Sequence, residues 1–109
     1  MIYEVEVSEQ ADSDLREIFE YIAFELQAPE NAGGQLDRLE EQILSLDTMP
    51  ERYRKYEEEP WKSRGLRVLP VDNYVVLYIP DSDKKVVTIL RVMYVGRDID
   101  NQLNLHIEQ

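Results

Sequence analysis

Two apolar stripes at helical spacing run back to back through the first half of this chain, with Pro29 between them. Ala11, Leu15, Ile18, Ile22 and Leu26 recur at intervals of four, three, four and four residues. Ala32, Leu36, Leu39, Ile43 and Leu46 recur at four, three, four and three. Such stripes predict two amphipathic helices, each with a face that must be buried. Ser8 is a suitable N-cap for the first, with Glu9 placed to meet the helix dipole. Asp14, Glu17, Glu20 and Glu25 fall mostly off the stripe and read as a solvated face. Ala28-Pro29 ends the first helix, and proline suits the opening turn of the second, which stops at Met49-Pro50. The short link predicts an acidic antiparallel hairpin. Gly33-Gly34 lies within the second helix, where each glycine costs about 1 kcal/mol relative to alanine. A close approach to the first helix, the favoured reading, would offset that cost; the alternative is a frayed helix start.

The hairpin needs a surface to cover, and the flanking segments supply one. Ile2 to Val7 alternates, with Tyr3, Val5 and Val7 on one face, as in a short half-buried strand. Leu66 to Leu69 reads as a strand ended by Pro70, and Asp72-Asn73 supplies a turn. Tyr74 to Ile79 is a second run, apolar on both faces; Pro80 to Asp83 turns the chain, and Lys85 to Val95 is a third. These three predict an antiparallel meander. Glu51 to Ser63 has no period and reads as a loop, and Ile99 to Leu103 suggests a short C-terminal turn. The expected architecture is a βααβββ α+β domain with the helical hairpin against one face of an antiparallel sheet.

A length of 109 residues suits one domain, taken as residues 1–109. No apolar run approaches the roughly 20 residues that span a bilayer, and the opening Met1-Ile2-Tyr3-Glu4 lacks the basic and apolar regions of a secretory signal. A cytoplasmic protein is expected, without membrane contact. Cysteine is absent, which excludes disulfides, thiolate nucleophiles and cysteine zinc sites. The sequence contains no phosphate-loop, dinucleotide-binding or HExxH motif, and its single histidine, His106, stands near the C-terminus. No metal and no cofactor are expected.

Charge is unevenly divided. Residues 1–51 hold 14 acidic and 2 basic side chains, a net of −12, whereas residues 52–97 hold 6 and 10, a net of +4. The total of −11 opposes general nucleic-acid binding, yet the second half could face an anion. Arg64, Arg67, Arg91 and Arg97 lie on or beside the three consecutive strands, with Tyr74, Tyr78 and Tyr94 among them. Arginine grips phosphate by paired hydrogen bonds, and tyrosine stacks on bases or donates a proton. The other reading is salt bridges to the acidic helices together with core tyrosines.

Two stretches carry a family likeness. Leu66-Arg67-Val68-Leu69-Pro70-Val71-Asp72-Asn73-Tyr74-Val75-Val76-Leu77-Tyr78 resembles the central strands of the RelE/ParE superfamily of bacterial toxins. Val86-Val87-Thr88-Ile89-Leu90-Arg91-Val92-Met93-Tyr94-Val95-Gly96-Arg97-Asp98 resembles its last strand and following basic turn. With the opening strand and first helix, the likeness extends from residue 2 to about 103.

The resemblance implies the toxin of a type II toxin–antitoxin module, a plasmid-stabilisation protein that arrests growth and is neutralised by a cognate antitoxin wrapping its sheet and helices. ParE-like members inhibit DNA gyrase; RelE-like members cut messenger RNA on the ribosome without a metal. The chain would then be a homodimer or part of a toxin–antitoxin hetero-oligomer. For the nuclease, the resemblance implies Arg67 and Arg97 as phosphate ligands and Tyr94 as proton donor. Arg64, Tyr74, Tyr78 and Arg91 are implied in binding a target or antitoxin. The nuclease pattern is incomplete: Val75 stands where RelE-like enzymes carry arginine, Arg67 is alone on its strand, and Leu103 and Leu105 occupy the place of a C-terminal tyrosine. Metal-free cleavage also needs a base, and unperturbed arginine and tyrosine titrate far above neutrality. The expectation is therefore a toxin acting through a target such as gyrase, with mRNA cleavage, or a non-toxic binding module of the same fold, as alternatives.

Overall fold

The computed structural model describes residues 2–95. Strand β1 (Glu4–Val7) leads through Ser8 into helix α1 (Glu9–Glu20), which widens into a π-helical turn at Tyr21–Glu25. Helix α2 (Pro29–Leu44) returns antiparallel to it, and short 3-10 turns follow at Ser45–Asp47 and Pro50–Arg52. Strands β2 (Arg67–Val71), β3 (Tyr74–Asp81) and β4 (Val86–Tyr94) complete the fold.

The sheet order is β1-β4-β3-β2, so the meander is as predicted and β1 lies beside the last strand. β2–β3 and β3–β4 are antiparallel, whereas β1 runs parallel to β4, pairing Glu4 with Val86 and Val7 with Ile89. The sheet is thus mixed rather than purely antiparallel. A parallel pair needs a long crossover, and here the crossover comprises the helical hairpin and the rest of the meander. Pro70 does not end β2 but pairs with Val75 within it. β2 is the last strand in the sheet order, where proline is tolerated because no inner ladder needs its missing N–H.

Both sheet faces are covered. The hairpin packs on one, burying Ala11, Leu15, Leu39 and Ile43 against Leu69, Val76, Tyr78, Val87 and Ile89. On the other face, the aperiodic segment after Arg52 folds back. Arg54 accepts the Val68 N–H, and Trp61, only 2% exposed, packs with Leu66, Val68, Val75, Leu77 and Met93. The segment predicted as a loop therefore builds a second core. The sequence lacks a period there because a single large side chain, not a stripe, provides the burial.

Two local expectations change. A Cβ at Gly33 would meet nothing within 4 Å, and one at Gly34 would meet only Arg38, so the glycine pair does not mark a tight helix crossing. The first helix also departs from α geometry at Tyr21, and Leu26, predicted on the buried stripe, is exposed. The C-terminal turn, Arg97 and His106 lie outside the described residues. Among those described, no helix is long and apolar enough to cross a membrane.

Candidate functional site

The start of α1 is pinned to the sheet by a single hydroxyl. Ser8 Oγ accepts the Ala11 N–H at 3.0 Å and donates to the Leu90 carbonyl at 3.0 Å. Leu90 is the extra residue of a β-bulge: Tyr78 pairs with Ile89 while Leu77 pairs with Arg91. A bulge re-aims the side chains beside it, and Arg91 is directed onto helix α1. Asp14 receives Arg91 Nε at 2.7 Å and Nη2 at 2.9 Å, and the same carboxylate accepts the Val92 N–H at 2.9 Å. This N–H lies beyond Ile89, the last β4 residue paired with β1, so the carboxylate completes an edge the strand leaves open.

A second polar bridge ties α2 to the β2–β3 turn. Asp72, in the left-handed region at φ 55°, accepts Arg38 Nε at 2.7 Å and Gln35 Nε2 at 3.0 Å. These bonds, Arg38's first, hold its carboxyl below the usual carboxylate range.

Between the two bridges the hairpin stands away from the ends of β3 and β4, leaving an open cleft of about 1060 Å³. Tyr21, Leu26, Tyr74 and Tyr94 line it, as do Glu17 and Glu30. The π-helical turn contributes through a wide i to i+5 closure, Leu26 N–H to Tyr21 C=O at 3.1 Å. Such turns recur at functional sites. Tyr74 and Tyr94, paired across β3 and β4, meet edge to face with centroids 5.9 Å apart and planes at 74°. Burial, then the neighbouring Tyr94 and Tyr21, push the Tyr74 phenol above its ordinary value. It therefore stays protonated at neutral pH and provides a polar edge, not a base.

Of the seven residues singled out from sequence, Arg97 lies outside the described residues, and the other six are not one site. Tyr74, Arg91 and Tyr94 reach the cleft, although Arg91 does so as the buried partner of Asp14. Tyr78 is fully buried and donates to the Pro50 carbonyl at 2.6 Å, and burial pushes its phenol up to about 12. Arg67 pairs across from Tyr78 and donates to the carbonyls of Glu51 at 3.1 Å and Tyr53 at 2.7 Å. Tyr78 and Tyr74 are four positions apart on β3, roughly 13 Å at strand spacing. Arg67, on β2 beside the middle of β3, consequently sits well away from Tyr94 at the end of β4. Arg64 is stacked over Trp61 at 4.8 Å, with the second core, away from the cleft.

Several residues of the cleft were not singled out from sequence. Asp14 had a readable signal: it stands three residues after Ala11 and four before Ile18, on the buried stripe rather than beside it. Arg38, Gln35 and Asp72 had none, because their meeting depends on how α2 lies across the β2–β3 turn.

The comparisons agree with this geometry. Comparison with curated protein sequences returns no match. Among solved structures, the chromosomal ParDE toxin–antitoxin system of P. aeruginosa is similar at a TM-score of 0.70 with 22% identity, covering 86% of this chain and 97% of that one. The RelBE2 toxin–antitoxin complex of Mycobacterium tuberculosis gives 0.64 with 23% identity, covering 86% and 92%. A mutant of the E. coli toxin RelE in the free state gives 0.67 with 14% identity, covering 98% and 99%. At such identities these matches establish the shared fold. The family model described as "ParE toxin of type II toxin-antitoxin system, parDE" matches residues 5–99, nearly the whole of the described chain. On that match, the chain belongs to the ParE toxin family of type II toxin–antitoxin systems.

Proposed function

We propose that this protein arrests growth through protein contacts, with DNA gyrase as its target, and that a cognate antitoxin neutralises it in the cytoplasm. The observation that carries this reading is the separation of Arg67 from Tyr94. Phosphodiester cleavage needs cations and a proton donor converging on one phosphate. Arg67 is instead engaged with two backbone carbonyls beside the middle of β3, away from Tyr94, while the cleft beside Tyr94 is rimmed by Glu17 and Glu30. Exposed aromatic side chains around a concavity suit a protein partner.

Purified toxin should inhibit gyrase supercoiling, and induced cells should show DNA damage responses with intact messages. Truncated messages alongside unaffected supercoiling would favour the RNA-cleaving alternative. Normal growth under induction would leave a binding module of the same fold.

A further inference from the structure

We propose that the cleft between the hairpin and the ends of β3 and β4 seats a segment of the antitoxin that is basic as well as apolar. The segment would carry a large apolar anchor and, close by, a lysine or arginine. This inference rests on the toxin–antitoxin reading and adds the chemistry of the partner.

Shape comes first. Tyr21, Leu26 and Tyr94 are 55%, 56% and 52% exposed, and all three line one concavity. Single exposed apolar residues are ordinary, but convergence on a concave surface marks a contact site. About 1060 Å³, open to solvent, is at the top of the range of roughly 300–1,000 Å³ for small-molecule pockets. It suits a stretch of polypeptide.

Charge then selects among occupants. Four other charged side chains in and beside the cleft form two pairs, Arg91 with Asp14 and Arg38 with Asp72. Glu17 and Glu30 are exposed, and neither has a salt bridge among the described residues. Among the described residues, the uncompensated charge of the cleft is therefore negative. A phosphate backbone would be repelled, and a second copy of this chain, at net −11, would bring like charge. A cationic residue beside an apolar anchor matches both features.

The test uses the full chain and the protein encoded by the reading frame adjacent to its gene, with affinity measured at low and high salt. Glu17→Lys combined with Glu30→Lys should weaken the complex about tenfold or more at low salt, and the loss should shrink as salt rises. Glu9→Lys combined with Glu40→Lys makes the same change in net charge outside the cleft and should change affinity less than about twofold. Tyr94→Ala and Leu26→Ala should each weaken binding by about tenfold at either salt. Among the described residues, Glu9, Glu17, Glu30 and Glu40 form no salt bridge, and thermal melts verify the folding of every variant. As a check free of mutation, backbone hydrogen exchange of the wild-type chain should slow at residues 21–26 on complex formation. Equal effects of both charge pairs, or tighter binding by the Glu17→Lys/Glu30→Lys chain, would overturn the cleft assignment while leaving the toxin–antitoxin reading intact. Failure of the wild-type chain to bind its neighbour's product, or to be neutralised by it, would instead overturn that reading and the inference with it.

Discussion

Asp14 and Arg91, 77 residues apart in sequence, form a two-point ion pair that is 7% and 4% exposed, and the same carboxylate holds the Val92 N–H. The pair joins α1 to β4 at the cleft floor. Removing one partner of a buried pair costs far more than the pair itself contributes, because the other charge stays desolvated. Asp14→Ala should destabilise the fold by about 3–5 kcal/mol in urea titrations. Asp14→Leu with Arg91→Met should recover most of that loss. A single-mutant cost below about 1 kcal/mol would show that the pair is not what fastens the helix to the sheet.

Tyr78 predicts an alkaline limit. Its phenol, fully buried and bonded to the Pro50 carbonyl, is pushed from an ordinary 10.0 up to about 12. With the folded value above the unfolded one, its contribution is complete below pH about 10 and is lost as pH rises toward about 12. Unfolding free energy should fall by roughly 2 kcal/mol over that window on account of this group. Tyr78→Phe should be less stable at pH 7, through the lost hydrogen bond, but should show a smaller alkaline decline. Parallel pH profiles for the two chains would refute the assignment.

Gly33 is a residue whose replacement should help. It lies in α2, and an added Cβ would meet nothing within 4 Å. Alanine restricts the unfolded chain and favours helix, so Gly33→Ala should stabilise by about 0.5–1 kcal/mol. Destabilisation would show that the surroundings of Gly33 do not have room for the added methyl group.

What could be read from sequence was local and periodic. The Ser8 cap, the two helices and the β3–β4 pairing each follow from spacing within about 20 residues of chain. Non-local relations were less accessible. The parallel pairing of β1 depends on the path of the hairpin, and the burial of Trp61 depends on one large side chain in a segment without a period. In the sequence, the charge of Asp14 marks it as solvated although its helical phase places it on the buried stripe. In the cleft, Tyr74 and Tyr94 were accessible as strand aromatics, whereas Tyr21, Leu26, Glu17 and Glu30 join them only once the hairpin lies across the strand ends. Arg67 and Tyr78 look alike in sequence to the cleft residues, yet both are engaged with backbone carbonyls away from the cleft.

That contrast separates a structural arginine from a working tyrosine. Arg67 donates to the Glu51 and Tyr53 carbonyls, so Arg67→Ala should cost about 1.5–3 kcal/mol of stability, the scale for a hydrogen bond from a charged group. Any loss of growth arrest should then track the loss of folded protein. Tyr94→Phe keeps the ring that meets Tyr74 and deletes only the hydroxyl. If the toxin acts through contacts, this variant should arrest growth like the wild type and bind antitoxin within about threefold, since ring burial supplies most of such a contact. If Tyr94 donates a proton in RNA cleavage, the same variant should lose activity by about 10²-fold or more with its fold unchanged. Growth curves and message integrity, measured at matched levels of folded protein, distinguish the two outcomes.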